Sequence, residues 1–311
     1  MARYDVLIIG DLNPDLVLTG LGSPTPQLGT EQFFQGMKRT LGGSGALTSV
    51  TLSRLGLQSA LVALVGDDEA GGFCRAALQR EGVAPHLRVN PALATGITIA
   101  VAYPTDRLLL TLPGTIAEFA VEDVPTDLLA QARHVHVSSY FLQQKLQPAV
   151  AGLFAAARAN GATTSLDTGW DPAGNWMDDN LRAALAVTDV FLPNATELSH
   201  LSGADDLDDA AATLLELGMG AIALKDGARG ARYYSATERA SDSGFSVTPI
   251  DTTGAGDAFN AGYIAAMLED RSISARLHFA NACGALVAGV RGGAGGNFKR
   301  ADFDAMYERA R

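Results

Sequence analysis

Short apolar, β-branched runs alternate with helical stretches along most of this chain, and that alternation restricts its fold more than any other feature. "DVLIIGD" (5–11), "ALVALVGD" (60–67), "HVHVSS" (134–139), "TTSLDTG" (163–169), "VFLPN" (190–194) and "AIALKDG" (221–227) have the length and content of buried strands. Stretches such as "SGALTSVTLSRLG", "AGGFCRAALQREG", "QPAVAGLFAAARANG" and "DLDDAAATLLELG" read as helices. These four stop at Gly56, Gly82, Gly161 and Gly218, as expected where a helix end turns left-handed. Strands separated by helices build βαβ units, so a mostly parallel sheet with helices on both faces is expected. Two regions, about 12–40 and 96–113, break the pattern. Their extended runs, "DLVLTG", "QFFQGMKRT", "GITIAVAYP" and "RLLLTLP", have no helix between successive pieces and suit a small, mostly antiparallel sheet standing off the main one. Residues 1–311 therefore read as one α/β domain with a small β-sheet lid.

Composition narrows the function. Against 34 Asp and Glu there are 23 Lys and Arg, a net charge of −11. A broad nucleic-acid or acidic-membrane surface needs clustered basic residues, so neither partner is expected. Cys74 and Cys283 stand far apart, outside any CxxC or zinc-ligand spacing, and read as reduced thiols packed in the core. The apolar run near the N-terminus is too short for a secretory signal, and no run is long enough to span a bilayer. A soluble, cytoplasmic protein is expected.

The junction "DTTGAGDAF" (Asp251–Phe259) is the most pointed local feature. Phe259, Gly262, Tyr263, Ala266 and Met267 follow at helical spacing, which puts the glycines at a helix N-terminus. Free N–H groups and the helix dipole favour an anion there, and Gly254, Ala255 and Gly256 let a ligand approach the backbone. Asp257 is then out of place beside a phosphate, unless a base is needed there. Two readings stand at this point: a carboxylate that complements the helix dipole, or a general base for transfer of a phosphoryl group to an alcohol. No GxxxxGK[ST] or GxGxxG sequence is present, so neither a P-loop nor a nicotinamide fold is expected.

Five segments occur together in one order: "GDLNPD" (10–15), "GGSGALTSVTLSRLG" (42–56), "PNATE" (193–197), "KDGARG" (225–230) and "DTTGAGDAF" (251–259). In this they resemble the ribokinase-like carbohydrate kinases, the phosphofructokinase-B-type family, over essentially the whole chain. The resemblance implies a three-layer ribokinase-like sandwich with a mostly parallel central sheet and a β lid. It implies an ATP-dependent sugar kinase with Mg²⁺, and a homodimer paired through the lids. Asp257 matches the family's catalytic base, and Gly254, Ala255 and Gly256 match its anion hole. Asn13, Asp15, Gly42 and Gly43 match the sugar site. Lys225, Gly227, Gly230 and Asn281 fall on the nucleotide side. Asp251 and Thr253 lie where the family binds a monovalent cation such as K⁺, and the run "VRGGAGGN" (290–297) closes that site and the adenine pocket.

Asn194 and Glu197 carry two readings. By spacing alone they form a helix N-cap and its capping-box partner. By resemblance they organise Mg²⁺ through water, for which one carboxylate and one amide suffice. Leu47 stands where many sugar kinases have Asn, and Ser44 where ribokinases have Lys, so D-ribose itself is doubtful and a nucleoside acceptor is the alternative. A non-catalytic binding protein of the same fold is the more distant one. His134 and His136 alternate on one strand and share a face, but no third metal ligand is in view.

Overall fold

The computed structural model describes residues 3–21, 27–102, 107–290 and 296–309, with the side chains of residues 102 and 107 also left undescribed. Two sheets carry the architecture. The larger runs through nine strands: β1 (Tyr4–Ile9), β4 (Ser59–Gly66), β5 (Ala84–Asn90), β8 (Ala132–Val137), β9 (Thr163–Leu166), β10 (Val190–Phe191), β11 (Ala221–Lys225), β12 (Ala231–Ser235) and β13 (Arg239–Asp242). Their spatial order is β13-β12-β11-β10-β9-β8-β1-β4-β5. The seven strands from β11 to β5 are parallel, while β12 and β13 close one edge antiparallel. The smaller sheet has β2 (Asn13–Thr19), β3 (Gly36–Gly42), β6 (Ile97–Ala102) and β7 (Arg107–Leu112) in the order β3-β2-β6-β7. Its outer pairs are antiparallel and the central β2–β6 pair is parallel.

Successive residues of β1 enter different cores. Val6 and Ile8 pack with the helices on one face, Leu7 and Ile9 with those on the other. That explains why this strand reads as an unbroken apolar run: both faces are covered. The glycines that end the four helices named above adopt positive φ, from 74° at Gly82 to 101° at Gly218.

One local expectation differs in kind. The apolar stripe after Gly256 suggests a helix with one buried side, yet in the helix Ala255–Leu268 every residue from Ala258 to Ala266 is buried. The helix Ile273–Ala288 packs along it, so the Ala-rich surface that would have faced water is covered.

His134 and His136 do share a face, opposite Val6 and Ile8 in the β1–β8 register. His134 bonds the hydroxyls of Thr163 (2.8 Å) and Ser165 (2.7 Å), and His136 bonds Ser165 (2.7 Å). Burial pushes their pKa values down to about 3 and about 4. They are neutral core residues.

β1 is the turning point of the sheet. The chain moves from β1 to β4 on one side, then returns to β8 on the other, so the connections diverge at the C-terminal ends of β1 and β8. Open α/β sheets bind ligands in that crevice. Gly10–Asp11 and Ser138 lie just beyond those ends, Asp167, Asn194 and Lys225 at or just beyond the C-terminal ends of β9, β10 and β11, and Asn13 continues from β1 into the lid.

Candidate active site

Two helix N-termini converge above this edge. The helix Ala255–Leu268 starts at Gly254, whose φ of 76° and lack of a capping side chain leave the turn open. Among the described residues the N–H groups of Gly254, Gly256 and Asp257 meet no acceptor, whereas that of Ala255 is engaged by the Thr252 carbonyl at 3.2 Å. The free donors of the cradle are therefore the two glycines and Asp257. The second helix, Ser44–Arg54, packs against the first. Its N–H groups at Ser44 and Gly45 donate to Asp11 at 3.1 and 2.8 Å, a cap supplied from the end of β1. The Ser44 side chain lies close enough to Asp257 to draw its pKa down slightly, which links the two helix starts.

Asp257 is half-buried. Burial, and then the neighbouring Asp167 carboxylate, push its pKa up to about 7, against the pull of Lys225. A carboxylate poised near neutrality suits a base that must take a proton and give it back. Glu197 is likewise raised to about 7, by burial first and Asp167 second.

The lid carries a polar cluster of its own. Asn13 donates to Asp15 Oδ1 (2.8 Å) and to Thr98 Oγ1 (3.3 Å), and Thr98 pairs with Thr111 at 3.0 Å. The register aligns Thr40, Asp15, Thr98 and Thr111 across the four strands, so these polar side chains form one row on one face. Asn13 is buried at the start of β2 and orients Asp15. Gly42 is required beside it: a Cβ there would lie 2.0 Å from Asp15 Oδ1. Gly42→Ala is expected to displace the Asp15 carboxylate and raise the acceptor KM about tenfold or more with a small effect on the KM for ATP. An unchanged acceptor KM in initial-rate kinetics would remove Asp15 from the site.

Asn194 and Glu197 form the full capping box: Glu197 N–H donates to Asn194 Oδ1 at 2.8 Å and Asn194 N–H to Glu197 Oε2 at 2.9 Å. The Asn194 amide also donates to Glu197 Oε1 at 2.7 Å. The structural reading of this pair is thus realised. The donor set also fits a hard cation, since Asp167, Glu197 and Asp257 crowd a cleft that holds one ammonium, Lys225. No group of three or more His, Cys, Asp or Glu among the described residues could cage a metal, so Mg²⁺ would rest on water and phosphate oxygens as well.

On the nucleotide side Lys225 is neither a surface residue nor free to sweep the cleft. Its Nζ donates to Asp167 Oδ2 at 2.7 Å and to Asn260 Oδ1 at 3.1 Å. Gly227 and Gly230 have positive φ, and a Cβ on Gly230 would meet the Asp242 carbonyl at 2.0 Å. Asn281 donates to Asp242 Oδ1 at 2.8 Å. Arg229 is exposed and pairs with the buried Asp226, which Arg232 also reaches at 3.3 Å. Asp251 Oδ1 accepts the Thr253 N–H at 2.9 Å. Most of the glycine run 290–297 lies outside the described residues. Trp170 and Trp176 cluster with His200, which stacks on Trp176 at 4.4 Å. A cavity of about 790 Å³ lined by Thr196, His200, Asp206 and Arg229 adjoins the helix Ala195–Ser202, and neither Asp257 nor Asp15 lines it.

Asp11, Asp167 and Asn260 are the site residues that sequence reasoning missed. The rule that found Asp15, a polar residue just past the end of a strand, applies equally to "IIGD" and "SLDTG". Asn260 lies one turn after Asp257 and had the same helical signal.

A sequence model of the pfkB family carbohydrate kinases matches residues 4–299. The chain belongs to that family. As a carbohydrate kinase it is a phosphotransferase with a hydroxyl acceptor. Among curated relatives of this kinase, an ATP-dependent ribose-1-phosphate kinase of Halopiger xanaduensis is 30% identical over 295 residues, 92% of this chain and 93% of the relative. A solved E. coli structure, of a protein assigned as Ribokinase II in complex with ATP and Mg²⁺, superposes with a TM-score of 0.86 at 26% identity, covering 99% of this chain and all of that one. The adenosine kinase of Sinorhizobium meliloti shares the fold, with a TM-score of 0.88 at 21% identity over 98% of this chain and 99% of its own.

Proposed function

We propose that this kinase transfers the γ-phosphoryl group of ATP to a hydroxyl of a free sugar, with Asp257 as general base. The observation that carries the reading is the placement of Asp257. Its carboxylate stands in the first turn of a helix whose free N–H groups can receive a phosphoryl group, with Asp167, Lys225, Asp11 and Ser44 as its neighbours. The acceptor lies against Asn13, Asp15, Gly42 and Gly43, and its hydroxyl approaches Asp257. The base takes the proton as the oxygen attacks in line. The Gly254–Asp257 N–H groups hold the charge that gathers on the transferring oxygens. Mg²⁺, held through Asn194 and Glu197, supplies charge neutralisation on the phosphates when bound. Lys225 faces the same phosphates, Gly227 and Gly230 let the nucleotide close on the backbone, and Asn281 meets the base. A monovalent cation at Asp251 and Thr253 would brace the turn before the cradle, and rates in K⁺ against Na⁺ test it.

ADP release from Mg-ATP across a panel of free sugars, ribose 1-phosphate and nucleosides tests the reading. Turnover with one acceptor that collapses in Asp257→Asn supports it, and activity that survives the substitution removes Asp257 as the base. The acid limb of the rate profile is expected near pH 7, because only the ionised carboxylate accepts a proton. A rate that stays flat well below neutrality would contradict this.

A nucleoside acceptor is the second reading, favoured by the buried, apolar Leu47 beside Ser44 at the start of the acceptor-side helix. A phosphorylated sugar finds less support. Arg39 lies on the lid face opposite Asp15, where it pairs with Glu69 at 2.7 Å, which leaves Lys38 as the described basic side chain on the acceptor row. Met37, Leu110 and Leu112 are exposed on the face opposite Asp15 and favour a homodimer closed through the lids. Light scattering should then give twice the 32.3 kDa chain mass. No helix among the described residues is long and apolar enough to cross a membrane. ATP as donor and two buried free cysteines fit a cytoplasmic location.

A further inference from the structure

Asp167 has no part in the mechanism above, yet it is the best-bonded carboxylate in the cleft. It sits just past β9, with Oδ2 accepting from Lys225 Nζ at 2.7 Å and from Asn260 Nδ2 at 2.5 Å. Its other oxygen takes the Gly169 N–H at 2.8 Å. Lys225 Nζ donates in turn to Asn260 Oδ1, so the three side chains close a ring. That ring lies under the phosphoryl cradle: a methyl built on Gly256 would be 3.9 Å from Lys225 Nζ, and Asn260 is one helical turn beyond Asp257.

Three carboxylates, Asp167, Glu197 and Asp257, face this single ammonium. Its hydrogen bond goes to Asp167, and among the described residues none joins it to Asp257 or Glu197. The choice of partner has chemical consequences. An ammonium bonded directly to Asp257 would lower the basicity of the carboxylate that must receive the acceptor's proton. One left without a partner would swing on its four-carbon stem and offer no fixed charge to a phosphate.

Building on the kinase reading, we propose that Asp167 is a positioning residue for phosphoryl transfer. By pairing with Lys225 and Asn260 it holds the ammonium under the Gly254–Gly256 turn, facing the terminal phosphoryl group, and keeps it off the Asp257 carboxylate. Lys225 keeps its proton there. Burial works against the charge, but Asp167 and then Glu197 outweigh it and raise the lysine above its ordinary value.

The test is calorimetric binding of Mg-AMP-PNP and Mg-ADP, nucleotides that differ in the terminal phosphoryl group, to the wild-type protein and its variants. Asp167→Asn is expected to weaken the triphosphate analogue about tenfold, the worth of one charge-assisted contact, and to leave the diphosphate within about twofold. Lys225→Met should do the same, and the double variant should be no weaker than Lys225→Met alone. Asp167→Glu keeps the counter-charge and so protects folding, while its longer stem moves the ammonium. It should also lose triphosphate affinity selectively. Equal weakening of both nucleotides, or wild-type affinity in Asp167→Asn or Asp167→Glu, overturns the positioning role, as does a double variant in which the two losses multiply. A wild-type protein that binds neither nucleotide overturns the kinase reading, and this proposal with it.

Discussion

Asp257→Asn is expected to lower kcat about 10²–10⁴-fold, the usual worth of a general base, and in the same protein to raise stability at mildly alkaline pH. Both effects have one origin. In the folded protein the Asp257 carboxyl is raised by burial and by Asp167 to about 7, from an ordinary value of 3.8. Between those two values the native state binds more protons than the unfolded chain, so stability falls as pH rises through the interval. Above about pH 7 the wild-type protein carries the whole cost of an ionised carboxylate beside Asp167. Asn keeps the shape without the charge. Its stabilising effect should therefore be largest above neutrality and fade toward pH 4, the range over which the wild-type group takes up its proton. Rates of ADP release with the acceptor found in the panel, and melting curves across that range, check the two halves separately. A variant that is inactive but less stable at every pH would mean that Asp257 serves packing, and that its loss disables the cleft indirectly.

Much of this site was legible because its residues sit where chain geometry must place ligands. The Gly254–Asp257 junction precedes an apolar helical stretch, and Asp15 follows the first strand. The lid could be read because "GITIAVAYP" and "RLLLTLP" have strand content with no helix between them. What stayed hidden is what depends on neighbours distant in sequence. Asp167 and Lys225 are 58 residues apart and meet because β9 and β11 flank the two-residue β10. No periodicity carries that information. The edge strands β5 and β13, and β12 next to β13, were missed for another reason. "APHLRVN", "ARYYS" and "RASD" mix charged and small residues, as half-exposed strands at a sheet margin can, and so they lack the apolar run that marks the central strands. The helix Ala255–Leu268 misled in the opposite direction. Alanines at 258, 261, 265 and 266 look compatible with solvent, but they are small because a second helix lies against them.

Lys225→Met should destabilise the fold by about 3–5 kcal/mol near neutral pH, the cost of leaving one half of a buried ion pair. The pair qualifies as buried, with side-chain exposures of 13% for Lys225 and 7% for Asp167. Removing the ammonium strands Asp167 and also strips Glu197 and Asp257 of the cation that lowers their pKa values among the described residues. In the wild-type protein burial pushes Asp167 upward, but Lys225 and Asn260 hold it below the ordinary carboxylate value. That depression is a stabilising contribution, present above the unfolded pKa and lost as pH falls through the folded one. Without Lys225 the same carboxyl rises, and the folded variant gains more stability on acidification than the wild type. The difference between the two proteins should therefore narrow steadily from pH 8 to pH 5, as chemical denaturation at each pH can show. Asp167→Asn/Lys225→Met, which removes both charges, should recover a large part of the loss, because the penalty lies in the stranded carboxylate and not in the missing contact. A double variant no more stable than Lys225→Met would place the cost on Glu197 and Asp257, and would mean that Lys225 is held in the cleft by all three carboxylates rather than by Asp167 first.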